Sequence, residues 1–125
     1  MIKLVICLRR KQGMSVEDFN QHWFEIHGPL VREVAPALGI CRYVQNYAQQ
    51  PGMLESVIQM LGYGGVPYDG VAEIWCESVE RFAAALMTDE GQSAGARVSE
   101  DGTHFIDLAA STAFIVEEVE VVGNC

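Results

Sequence analysis

Ile2-Lys3-Leu4-Val5-Ile6-Cys7-Leu8-Arg9-Arg10 opens the chain, and its valine, isoleucine and leucine content and its length read as a β-strand. Successive side chains of a strand point to opposite faces. Here both sets are largely apolar, with Ile2, Leu4, Ile6 and Leu8 on one face and Val5 and Cys7 on the other. A strand of this kind is covered on both sides. One cover is expected to be the chain's own helices, and the other a second copy of the chain.

Working outward, Lys11-Gln12-Gly13 reads as a turn and Ser15 as a helix N-cap, with Asp18 three residues on in a capping-box-like position. Val16, Phe19, Trp23, Ile26 and Leu30 recur at helical spacing, and Gly28-Pro29 predicts a break, with a second helical piece over 30–35. Residues 39–48 read as the second strand. The stretch 49–69, rich in glycine and proline, reads as a long functional loop, with a short helix expected from Met53 to Leu61. Residues 70–77 form the expected third strand. Ser78 caps a helix carrying Val79, Phe82, Ala83 and Leu86 on one stripe, 91–102 reads as polar and loose, and Thr112 to Val122 as the last strand. The order is β-α-β-β-α-β across a single domain, 1–125. That is the α+β, ferredoxin-like pattern: an antiparallel sheet with both helices on one face. Its bare face is expected to pack on a second sheet, giving a two-fold homodimer, a dimeric α+β barrel.

Bulk properties narrow the function. Of the 125 residues 50% are hydrophobic and 20% charged, an ordinary globular composition, and the net charge is −9. Phosphate backbones and anionic membranes would repel that charge, so neither nucleic acid nor membrane is an expected partner. The apolar run at the amino end precedes Arg9-Arg10-Lys11, whereas a secretory signal places its charges first, and it is far too short to span a bilayer. Cys7, Cys41, Cys76 and Cys125 are scattered with no C-x-x-C, so the first three read as small buried strand residues and Cys125 as a tail residue. The expected setting is the reducing cytoplasm.

The most unusual segment is His22-Trp23-Phe24-Glu25-Ile26-His27-Gly28-Pro29-Leu30-Val31. On an α-helix His22 and His27 lie about 140° apart, so they diverge and do not make the converging pair that a metal ion needs. His27 reads in two ways: as a proton-transfer group at a helix end, or as a ring that bonds to backbone and fixes the break. For His22 the structural reading is the stronger. Glu73 and Trp75 share a face of the third strand. A glutamate on a covered face is either a pocket acid serving a histidine or the partner of Arg42 on the neighbouring strand. Tyr43 and Tyr47 share a face of the second strand and line either a pocket or the core. The glycines at 62–65 form neither a phosphate loop nor a dinucleotide fingerprint, no serine elbow is present, and no cofactor is expected.

Ser15-x-Glu17-x-Phe19-x-x-His22-Trp23-x-x-x-His27-Gly28-Pro29-Leu30-Val31 resembles the signature of EthD-domain proteins. The likeness continues through Gly70-Val71-Ala72-Glu73-Ile74-Trp75 and Glu100-Asp101 before Phe105 to Phe114-Ile115-Val116-Glu117-Glu118. It implies a dimeric α+β barrel. Relatives of this kind include dehydratases, decarboxylases, isomerases, cyclases and cofactor-free monooxygenases, so fold does not choose the reaction. His104, beside Phe105, departs from the family pattern and reads as a solvated loop residue in preference to a pocket group.

The expectation that follows is a small, apolar, oxygenated ligand, aromatic or polyketide-like, and cofactor-free acid/base chemistry. His27 is the expected acid/base, with His22 or Glu73 as its orienting partner or counterpart. Trp23, Tyr43, Tyr47 and Trp75 form the expected wall, and the 49–69 loop the gate. The alternatives are a non-catalytic binding or accessory protein of an oxidative degradation system and a cofactor-free monooxygenase.

Overall fold

A computed structural model of the chain describes residues 1–49, 52 and 54–124. The elements run β1 (Ile2–Leu8), α1 (Val16–His22), a π-helical turn (Trp23–His27), α2 (Gly28–Leu38), β2 (Ile40–Tyr47), α3 (Leu54–Met60), β3 (Gly70–Cys76), α4 (Val79–Met87), α5 (Asp89–Gly102), a 3-10 turn (Leu108–Ala110) and β4 (Thr112–Val116). The four strands make one antiparallel sheet in the order β2-β3-β1-β4, the expected ferredoxin-like topology. The expected helix start at Met53 and the tail position of Cys125 lie outside the described residues.

Pairing assigns the two faces of the sheet. Leu4, Ile6 and Leu8 of β1 stand opposite Ile74, Ala72 and Gly70 of β3. This face is covered by the helices: Leu8 and Ala72 pack with Phe19, Trp23 and Phe105 in one buried cluster, while Val34, Leu38 and Ala94 form another between α2 and α5. A register shift between Ile40 and Arg42 puts an extra residue, Cys41, into β2, so that Ile40 opposes Cys76 and Tyr43 opposes Ile74. Without that bulge Ile40 and Tyr43 would fall on opposite faces. With it, both face the helices. Lys3, Val5, Cys7, Val71, Glu73, Trp75 and Phe114 take the other, open face.

Local chemistry explains the ends of the elements. Ser15 caps α1 by accepting the Asp18 backbone N–H at 3.0 Å. Gly39, with φ of 68°, closes α2 in the left-handed conformation and turns the chain into β2.

Four expectations are corrected here. The helix does not break at Gly28-Pro29: it stays helical from Val16 to Leu38 by widening into the π turn. That widening inserts a residue into the helical phase, so Ile26 turns out to solvent, 53% exposed, and His27 turns in. The 91–102 stretch is not loose but belongs to α5. Thr88 caps α5 by accepting the Gly91 N–H at 3.0 Å, and Gly91 allows it to abut α4, since a Cβ there would sit 1.7 Å from the Ala85 carbonyl oxygen. Finally, the last strand ends at Val116, not Val122, because Val116 already pairs with Lys3 and β1 has almost no residues left to pair beyond it.

Candidate active site

The π turn decides the geometry of the site. In an α-helix each carbonyl bonds to the N–H four residues on; in a π turn it bonds to the fifth. The Trp23 carbonyl accepts the Gly28 N–H, so residues five apart come around to the same side. Pro29 disfavours the regular helix here, because its ring would press on the carbonyl four residues back and it has no N–H to offer there. His22 and His27, which diverge on an ideal α-helix, therefore converge on one carboxylate. Asp101 of α5 takes His27 Nδ1 at 2.8 Å through Oδ2, and His22 Nε2 lies 3.0 Å from its Oδ1 and 3.1 Å from its Oδ2. The expected divergence of the two rings is thus overturned by one i→i+5 turn.

The triad is buried in a graded way. His27 and Asp101 are 7% and 9% exposed, and His22 is half-buried. Phe105 closes one side: it stacks on His22 at 4.7 Å between ring centres and tilts against His27 at 5.0 Å. Burial depresses the His27 pKa below 6.5, and the hydrogen bond and charge of Asp101 offset this only in part. Burial pushes the Asp101 carboxyl up, but the hydrogen bonds from His27 and His22 outweigh that and hold it below 3.8. At neutral pH the site therefore holds a carboxylate and a neutral His27. A carboxylate only accepts, so the His27 proton sits on Nδ1 and its Nε2 carries the free lone pair.

His27 lines a cavity of about 380 Å³ between the covered face of the sheet and the helices. Leu4, Ile6, Leu8 and Ile74 supply its floor, Val31, Phe82 and Leu86 much of its roof, and Trp23, Tyr43 and Ser99 a few polar atoms. That size and character suit a small, largely apolar ligand. Among the described residues, no group of three histidine, cysteine or acidic side chains is arranged to hold a metal ion.

The sequence-derived site residues divide between the two faces of the sheet. His22, His27, Trp23, Tyr43 and Tyr47 lie on the helix side. Trp23 is buried, donates its Nε1–H to the Tyr43 hydroxyl at 3.2 Å and packs 4.6 Å from the Tyr47 ring. Burial raises both tyrosine pKa values, that of Tyr47 to about 12, so both phenols stay neutral. Glu73 and Trp75 are on the open face, with the sheet between them and His27. Glu73 accepts from Lys3 at 2.6 Å and from Asn46 at 2.9 Å, and Lys3 is what chiefly depresses its pKa. Trp75 lies under the Lys3 and Arg42 cations and donates to Glu118 at 2.8 Å. His104 pairs with Glu100 at 3.2 Å on the surface.

Asp101, not Glu73, is the carboxylate beside the histidines, and sequence reasoning gave it no role. The signal was present: Gly91, Ala94, Gly95, Val98, Asp101 and Gly102 recur at helical spacing behind Thr88, with Asp89 and Glu90 in the first turn. An aspartate on the inward stripe of such a helix needs a partner.

Residues 11–109 match the EthD domain family. A dehydratase of Ustilaginoidea virens, ustZ, is 26% identical over 84 residues, which cover 62% of this chain and 60% of that relative's length. Of solved structures, an EthD family protein of Bacillus halodurans superposes with a TM-score of 0.63 at 23% identity, over 95% of this chain and 99% of that one. A dimeric ferredoxin-like protein of unknown function from Thermobifida fusca superposes with a TM-score of 0.52 at 14% identity, over 92% and 88% of the two chains. These structural likenesses establish the fold. No described helix is long and apolar enough to cross a membrane.

Proposed function

We propose, from the premise that the chain belongs to the EthD-domain family, that it binds a small, apolar, oxygenated molecule in the 380 Å³ cavity and transforms it by cofactor-free acid/base chemistry on His27. One observation carries the reading: a buried histidine, held by a buried carboxylate through Nδ1, lines an apolar cavity. Nε2 is then the base. As it takes a proton from a ligand carbon or hydroxyl, the ring becomes an imidazolium, and the Asp101 carboxylate at 2.8 Å stabilises that charge. Tyr43 and Trp23 present ring faces to an aromatic or polyketide-like skeleton.

Among eliminations, isomerisations, cyclisations and decarboxylations, the dehydratase named above favours elimination of water. In that reaction His27 removes the proton beside a carbonyl and returns it to the departing hydroxyl, which leaves as water, so the protein ends unchanged. The open sheet face, with Val5, Val71, Trp75 and Phe114, is proposed to pack on a second copy, as the dimeric fold of the Thermobifida protein suggests. Cys7, Cys41 and Cys76 are free thiols, which suits a reducing cytoplasm.

The test is a mass-spectrometric screen of aromatic β-hydroxyketones and lactones with the wild type and His27→Ala. Conversion by the wild type, lost in a variant that keeps its fold, supports the proposal. Intact turnover in His27→Ala overturns the mechanism. Ligand binding with no turnover by either protein favours the accessory reading, and turnover with oxygen uptake the monooxygenase reading.

A further inference from the structure

We infer that Gln45, in the middle of β2, is the positioning residue of this site: it selects the π turn that brings His22 and His27 onto one carboxylate. The Trp23 carbonyl is the acceptor that defines the turn, because it receives the Gly28 N–H. Gln45 donates to that same oxygen through Nε2 at 3.0 Å. A carbonyl only accepts, so the atom beside it is the amide nitrogen and the orientation of the side chain is settled. Its second N–H goes to the Tyr43 hydroxyl at 3.0 Å, and its Oε1 accepts the Tyr47 hydroxyl. Trp23 Nε1–H also donates to the Tyr43 oxygen, at 3.2 Å. The amide is therefore held at two points by tyrosine hydroxyls of the same sheet face and aimed at one backbone oxygen of the helix.

Steric fit agrees with the hydrogen bonds. A Cβ built on Gly28 would lie 3.3 Å from Gln45 Nε2 and 3.3 Å from the Trp23 oxygen, so the amide occupies the room that the missing side chain leaves. Pro29 makes the regular helix unfavourable, yet it says nothing about which alternative replaces it. A kink or a break would relieve the same clash. A second donor on the Trp23 carbonyl rewards the conformer in which that oxygen points at β2 and still reaches Gly28. In a regular helix the Trp23 oxygen would be offered to His27 N–H, and the two imidazoles would swing apart by about 140°. Only one of them could then face Asp101.

The positioning role rests on His27 as the working base, whereas the state of its ring can be read with no substrate at all. Histidine side-chain ¹⁵N–¹H correlation spectra of the full-length protein, taken across a pH titration, are the experiment. In the wild type His27 is expected to be neutral at pH 7 with a protected Nδ1–H and a bare Nε2. In Gln45→Leu, which keeps the bulk and removes the amide, the protected Nδ1–H is expected to disappear and the His27 titration to move up toward 6.5 as the ring leaves its buried seat.

A merely structural Gln45 would lower the melting temperature and leave the His27 tautomer and titration of the surviving native state unchanged, and that result would overturn the inference. If Gln45→Leu does not fold, Tyr47→Phe decides. It frees Gln45 Oε1 and is expected to speed exchange of the His27 Nδ1–H at least severalfold; unchanged exchange there sinks the idea. Loss of turnover in His27→Ala tests the base separately, so a failure of one leaves the other standing.

Discussion

Asp101→Asn isolates the charge that holds the two histidines. The carboxylate makes contacts at 2.8 Å to His27 and at 3.0 and 3.1 Å to His22. Asparagine keeps the volume but offers one acceptor oxygen and one donor amide. One ring keeps a neutral hydrogen bond; the other meets an N–H₂ and has to present a bare nitrogen, which forces a tautomer change. A hydrogen bond to a charged group contributes about 1.5–3 kcal/mol and a neutral one about 1 kcal/mol. Exchanging two of the first kind for two of the second loses ~1–4 kcal/mol, and sparing the burial of a carboxylate returns part of that. The expected net loss is about 1–2 kcal/mol at pH 7, or roughly 4–8 °C in melting temperature for a chain of this size.

The pH dependence sharpens the prediction. Folded His27 titrates below its ordinary 6.5, so as pH falls under that value the unfolded chain binds a proton that the folded ring resists, and stability declines. Folded Asp101 titrates below 3.8, so its contribution is intact above 3.8 and is lost as pH falls through the folded value. Asp101→Asn abolishes the second decline and keeps the first. The assay is thermal unfolding by circular dichroism from pH 3 to pH 8, with the His27 tautomer read by ¹⁵N spectra at pH 7. A variant that melts like the wild type across the range, with His27 still protonated on Nδ1, refutes the claim that Asp101 organises the site.

Two further perturbations probe the scaffold. Gly70→Ala puts a Cβ 2.5 Å from the Trp23 ring and 3.0 Å from the Asn46 carbonyl oxygen, and overpacking of that kind costs about 1–3 kcal/mol. Its denaturation midpoint should drop while Gly64→Ala, where nothing lies within 4 Å, stays near the wild type. Phe114→Asp places a charge on the open sheet face, where Phe114 is 48% exposed in the single chain. If the proposed dimer forms through this face, light scattering should report a dimer for the wild type and a monomer for the variant, and an unchanged mass would remove this face from the interface.

Much of the framework was legible because it depends on short-range patterns. The apolar strands, the Ser15 and Ser78 caps and the stripe at Phe19 and Trp23 each follow from residues within a few positions of one another. The misreadings share one cause. Gly28-Pro29 signals that a regular helix is strained there but does not say how the strain is relieved, and the residues that decide it, Gln45 and Tyr47, come from β2. Residues 91–102 read as loose because their glycines and alanines have low individual weight; their value lies in close packing of α5 on α4, which appears only once both helices are in place. Glu73 was ambiguous because parity tells which residues share a face, not which face meets the helices.

The sequence alone determined the β-α-β-β-α-β order, the antiparallel sheet with helices on one side, the family likeness and the prominence of the His22–His27 segment, since periodicity and capping act locally. The tertiary structure alone decided that the two histidines converge, that Asp101 and not Glu73 joins them, and that His27 opens on a cavity. Those outcomes turn on one residue of helical phase and on contacts across intervals as long as the 74 positions between His27 and Asp101. Local propensity cannot rank such alternatives, because the free energy that separates them comes from buried hydrogen bonds that form only after the sheet and helices have met.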